Sequence, residues 1–194
     1  MMLDEVKNMN EFSTYEFAVA QKNEGRWRAA RVGLILLYII YPVALLLIGM
    51  KFSFIAPLLA FIPLSLWLIV FITWRYISVD YEYSVTSGTL TFTKIFGNRS
   101  RRKVFEASLR DAVLIAPLAD EAGAARGKAY GPEREFMGAS SLTAPDIYFM
   151  LFELSDKKSG EKRRAVFYFE ATQKMLSICR YYNPSGTVLS NVSR

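Results

Sequence analysis

The stretch VGLILLYIIYPVALLLIGM (Val32–Met50), then Lys51, then FSFIAPLLAFIPLSLWLIVFITW (Phe52–Trp74), decides how this chain is built. Nineteen uncharged residues, one lysine and twenty-three more uncharged residues form a 43-residue apolar block. A bilayer core about 30 Å thick takes roughly 20 helical residues to cross. A single helix through the block overshoots that distance twofold. The block therefore reads as two transmembrane helices, about 32–50 and 52–74, joined by a tight turn near Lys51. A helix pair buried in a soluble core is the alternative, but uncharged runs of this length exceed what soluble cores use. A cleavable signal does not fit either: 31 residues with charges of both signs come first, and the run is longer than a signal's apolar region.

The two spans contain no Asp, Glu, Lys, Arg, Asn or Gln. Ion pathways and proton relays are built on such groups, so the hairpin reads as an anchor rather than a transporter. Pro42, Pro57 and Pro63 are tolerated in membrane helices. Orientation follows from the flanks. Lys22, Arg26, Arg28 and Arg31 precede the first span, Lys51 alone lies between the spans, and the segment from Arg75 onward carries 18 of the 24 basic residues. The positive-inside rule then predicts a multi-pass protein of the plasma (inner) membrane with both termini in the cytoplasm, and Trp27 and Trp74 sit where interfacial aromatics belong.

Residues 1–31 hold five acidic and five basic residues. Ser13 and Glu16 have capping-box spacing, and Phe12, Tyr15 and Val19 recur near helical spacing. This predicts an amphipathic helix from about Glu11, an N-terminal juxtamembrane arm lying along the interface or leading into the first span. Residues 32–76 are the two helices, and 77–194 are a separate cytoplasmic domain of sufficient size for one core.

In that domain the pattern changes from continuously apolar to alternating. Val79, Tyr81, Tyr83 and Val85 alternate with polar residues, as in a half-buried strand. Ser87-Gly88 is a two-residue hairpin turn, and Thr89–Phe96 is the return strand. Further strands are expected near Arg102–Ala107 and Ala112–Ala116. Residues 118–145 are rich in Ala, Gly and Ser and lack a period; they read as a flexible insertion, with room for a short helix near Asp120–Arg126. Strands resume over Asp146–Leu154 and Arg163–Phe169. A helix follows over Thr172–Tyr182, with Met175, Cys179 and Tyr182 on one stripe. Thr187–Val192 has room for one more short strand.

This α+β order, after a two-span hairpin, resembles the bacterial PH-like membrane proteins. The resemblance is carried by Tyr81-Glu82-Tyr83, by Ser87-Gly88-Thr89-Leu90, and by Phe167-Tyr168-Phe169-Glu170 running into a helix that stops at Tyr181-Tyr182-Asn183-Pro184. It covers about Val79–Pro184. It implies a bent antiparallel sheet capped by a C-terminal helix, usually of seven strands where six are read here, and a binding or scaffold module usually without enzymatic activity.

The residue inventory bears on chemistry too. There is no histidine and one cysteine, which removes Ser-His-Asp and Cys-His catalysis, His-ligated zinc and an intrachain disulfide. Cys179 lies on an apolar stripe and reads as a small buried hydrophobe. Gly123, Gly127 and Gly131 lack phosphate-loop spacing. No catalytic residue, cofactor or metal is expected. The net charge of +6 is concentrated in runs. Arg99, Arg101, Arg102 and Lys103 form one, and Lys157, Lys158, Lys162, Arg163 and Arg164 another. With Arg26, Arg28, Arg31 and Arg75, the first run and Lys157 and Lys158 are the candidate contacts to the membrane surface and its anionic headgroups; solvated turns are the plainer alternative. Expected partners are the lipid bilayer and a protein partner or second copy, not nucleic acid. The preferred reading is a membrane-anchored binding or scaffold protein. An accessory subunit of a transporter or envelope complex, with Ala56 and Ala60 as a packing pair, is the alternative. A small membrane enzyme using residues 118–145 as a lid has no motif behind it.

Overall fold

The computed structural model describes residues 14–22, 24–97, 99–141, 143–144, 146–155 and 160–192. Its contacts divide the chain into two units. One comprises residues 22–79 with 96–100; the other comprises residues up to 21, 80–95 and 101 onward.

The first unit is the helical hairpin. Helix α1 runs from Gly25 to Lys51 and α2 from Ile55 to Ile77. The turn falls where the lone lysine places it. The Phe54 N–H donates to the Gly49 carbonyl at 2.9 Å, and Ser53 adopts a positive φ of 52°. The helices are joined by polar bonds between otherwise apolar walls. Tyr38 and Thr73 share a hydroxyl–hydroxyl bond, and the Tyr41 hydroxyl donates to Ser65 Oγ at 2.9 Å. Interhelical bonds of this kind hold membrane helices together where lipid removes any hydrophobic drive for association. Most of the outer surface is bare: 6% of the apolar window of each helix is buried.

The second unit is two facing four-stranded sheets. Sheet A has the order β1-β2-β3-β4, with β1 Thr14–Ala20, β2 Val79–Thr86, β3 Thr89–Phe96 and β4 Ser100–Ser108. Sheet B has the order β5-β7-β8-β6, with β5 Leu114–Pro117, β6 Arg134–Met137, β7 Ile147–Ser155 and β8 Lys162–Glu170. Ser87 and Gly88 both have positive φ, 51° and 81°, the requirement of the tightest hairpin turn. A Cβ at Gly88 would lie 2.6 Å from the Tyr182 ring, so the position admits glycine for space as well as for φ.

The sheets meet through aromatic rings. Phe92 lies 4.8 Å from Phe167, Phe105 lies 4.9 Å from Phe152, and Tyr83 lies 6.1 Å from both Phe167 and Phe169. Tilted and edge-on rings at such spacings add to what burial alone contributes. Helix α4, Gln173–Tyr182, buries Met175, Leu176, Ile178 and Cys179. Thr172 caps its start by accepting the Met175 N–H. Asn183 closes its end, donating Nδ2 to the Leu109 and Ala112 carbonyls.

Three expectations are corrected. Residues 14–20 are a strand, not part of an amphipathic helix; the proposed helix start at Glu11 lies outside the described residues. β1 pairs antiparallel with β2 from Thr14↔Thr86 to Ala20↔Asp80. Tyr15, Phe17 and Val19 recur at period two, and a free edge on β2 offers them a ladder, which decides against the helical spacing. The helical hairpin is thus inserted between two strands of one sheet.

Second, the described residues of the segment 118–145 hold a helix and a strand rather than a structureless insertion, and the short helix expected near Asp120–Arg126 is there. Helix α3, Glu121–Tyr130, starts at Asp120, whose side chain accepts the Gly123 N–H, and it packs on the outer face of sheet B. β6 follows it and pairs with β8. The Ser140 N–H donates to the buried Glu170 carboxylate at 2.8 Å. Third, the β6–β8 pairing is parallel, so sheet B is not purely antiparallel. The tail contributes a single bridge, Ile115↔Thr187.

Candidate membrane-facing site

In the hairpin unit, a groove of about 300 Å³ opens at the C-terminal end of α2. It is lined by Trp67, Val70, Phe71, Trp74, Arg75, Gly97 and Arg99. Trp67, Phe71 and Trp74 follow one another at helical spacing and share one face of α2. The Trp67 and Phe71 rings stack at 5.5 Å. The Arg99 guanidinium lies over the Phe71 ring, 4.9 Å from its centroid, a geometry in which the ring face attracts the cation. Arg75 belongs to the last turn of α2, where a cation complements the helix dipole.

Gly97 joins the two arginines. Its N–H donates to the Ser78 carbonyl at 2.7 Å. Its φ is +57°, and a Cβ there would lie 3.3 Å from the Arg75 Cα. Any side chain would push the turn away from the helix end.

The other expected contacts divide between the units. Arg28 is exposed on α1. Arg31 is half-buried, and its Nη2 donates to the carbonyl of the buried Ile77 at 3.4 Å; it bonds the last residue of α2. Arg26 lies in the first turn of α1, its side chain outside the description. Lys157 and Lys158 lie outside the described residues.

Arg101, Arg102 and Lys103 belong to β4. Arg101 pairs with Glu82 at 3.2 Å, and Lys103 pairs with Glu106. Lys162 pairs with Glu153 at 3.2 Å, and Arg163 with Glu161 at 3.5 Å. Among the described residues, four of the domain's basic side chains, Arg101, Lys103, Lys162 and Arg163, are thus paired with carboxylates. Lys103 and Lys162 both line an open groove of about 900 Å³, together with Arg134, Glu106, Asp111 and Glu153. Burial, with a further contribution from the Arg102 charge, lowers the pKa of Lys94, whose Nζ lies 5.7 Å from the centre of the Tyr81 ring.

A third cavity, about 220 Å³, lies between α3 and sheet B and is lined chiefly by Leu118, Phe149, Leu151, Val166 and Tyr168. Cys179 is fully buried, and burial pushes its thiol up to about 12. It is an inert core group. The sequence pointed to the arginines of the α2 groove and to Trp74 but not to Trp67, Phe71 or the glycine. The wall was visible as the Trp67, Phe71, Trp74 spacing; the Gly97 contact depends on a chain crossing that no local pattern encodes.

Among known proteins, a family model described as a bacterial PH-like domain (DUF6106) matches residues 11–189. No curated protein matches the chain, and no solved structure does.

Proposed function

The chain belongs to the bacterial PH-like domain family, and on that premise we propose that it is a membrane-anchored binding or scaffold protein that presents its PH-like domain to the cytoplasm. One observation carries the reading: two long apolar helices are inserted between β1 and β2, which pair with each other along the whole of β1. Both ends of the hairpin must then emerge on one side, as an even number of spans requires. Removal of the first helix as a signal would also take β1 from the sheet.

The helices differ from the core helices of a soluble protein in their exposure. Leu36, Ile40, Leu47, Leu64 and Trp67 are each at least half exposed, a contiguous apolar surface far beyond what monomers carry in water. The cytoplasmic assignment rests on Lys22, Arg28, Arg31 and Arg75 at the shared ends against Lys51 alone at the turn. The binding role rests on the PH-like character of the family, since the resemblance implies a binding or scaffold module usually without enzymatic activity.

Alkaline carbonate extraction of membranes from expressing cells tests the anchor. The chain is expected to stay with the membrane pellet and to be released by detergent. Release into the carbonate supernatant overturns the reading.

A further inference from the structure

We propose that the groove at the C-terminal end of α2 binds the phosphate-bearing headgroup of an anionic glycerophospholipid, with Arg75 and Arg99 holding the phosphate and the Trp67–Val70–Phe71 face receiving the upper acyl chain. The inference rests on the reading of α1 and α2 as membrane spans.

The argument begins with charge. Arg75 and Arg99 line one groove, and neither has a carboxylate within ion-pair distance among the described residues, whereas Arg101, Lys103, Lys162 and Arg163 all do. Like charges gathered without a counter-charge favour an anion between them, and guanidinium forks match phosphate oxygens bidentately.

The walls specify the rest of the ligand. Trp67, Phe71 and Trp74 are 62%, 47% and 43% exposed, and the apolar faces of these rings add nothing to the binding of a free phosphate ion. They suit an amphipathic molecule whose polar head lies at the arginines and whose tail runs back along α2. Trp74, in the last turn of α2, is where an interfacial indole belongs, and Trp67, about 10 Å deeper along the helix, faces the acyl region. The site is also held in shape. Gly97 lets its turn close against the Arg75 backbone, and Arg99 then lies one helical turn back, over Phe71.

Trp67 and Trp74 line the groove and report on the site once Trp27, on α1, is replaced by Phe in every protein compared. The full-length protein is reconstituted in phosphatidylcholine vesicles carrying a fixed minor fraction of acyl-brominated phosphatidylglycerol, or the same fraction of acyl-brominated phosphatidylcholine. Bromine quenches indole fluorescence only at short range. The brominated anionic lipid is expected to quench more than the brominated neutral one. That excess is expected to be lost in Arg75→Gln/Arg99→Gln, to fall in Arg99→Gln alone, and to survive in Arg101→Gln/Lys103→Gln. Inorganic phosphate is expected to leave the excess as chloride of equal ionic strength does. Equal quenching by the two lipids overturns the site, as does an excess that persists in the double arginine variant. An excess erased by inorganic phosphate but not by chloride assigns the groove to a soluble phosphate and overturns the lipid. Protein that does not float with the vesicles overturns the anchor and the site together; floating protein without lipid preference overturns the site alone.

Discussion

Gly123 and Gly127 lie one turn apart on α3, and the Phe149 ring lies beneath both. A Cβ at Gly127 would meet that ring at 3.6 Å, an ordinary contact. A Cβ at Gly123 would lie 2.9 Å from Asp120 Oδ2 and 3.1 Å from Ala116 Cβ, inside the helix cap. Gly127→Ala is therefore expected to stabilise the domain by up to about 1 kcal/mol, the helix-propensity difference. Gly123→Ala is expected to destabilise it by about 1–3 kcal/mol through overpacking. Thermal unfolding in mild detergent reads both, and equal shifts of one sign contradict the packing described. At this scale the sequence was legible where composition decides. Cys179 on an apolar stripe is a buried thiol. The pairing of Arg101 with Glu82 was not legible, because it joins β4 to a strand two places away in the sheet and depends on register.

Elements with one strong period were the readable ones. The β2–β3 hairpin, β7, β8 and α4 lie close to where alternation, turn residues and the apolar stripe place them. β1 and β6 are the failures, for different reasons. In β1, Tyr15 and Val19 fit a helix and a strand equally well, and only the free edge of β2, a non-local fact, selects the strand. β6 is four residues long, partly exposed, and earns its place by parallel pairing to β8. Phe17 tests the first correction. Its ring lies 5.5 Å from Tyr83, on the core side of β1. Phe17→Asp places a charge there and is expected to destabilise the domain by about 2–4 kcal/mol. Glu16→Gln, on the exposed side, is expected to be neutral. Limited proteolysis of the membrane-bound protein checks this: an unchanged cleavage rate in Phe17→Asp returns residues 14–20 to an independent arm.

For the whole molecule, the insertion of the hairpin into sheet A is the organising fact. Chain flanking both spans is part of one folded domain: residues 21–24 separate β1 from α1, and Ser78 alone separates α2 from β2. Any lateral force on the hairpin is therefore delivered to the β1–β2 ladder. The sheet unit and the helical hairpin are thus joined by two chain connections rather than one.

Labelling from one side of the membrane tests this account most directly. The native Cys179 is buried, so single introduced cysteines can be read against it. Ser53 lies in the hairpin turn and Ser177 on the exposed face of α4. With a membrane-impermeant maleimide on intact cells, Ser53→Cys is predicted to label. Ser177→Cys is predicted to label only after the inner membrane is permeabilised. Labelling of Ser177→Cys in intact cells would place the domain outside the cytoplasm, and identical behaviour at both positions would show that the helices do not form a two-span hairpin.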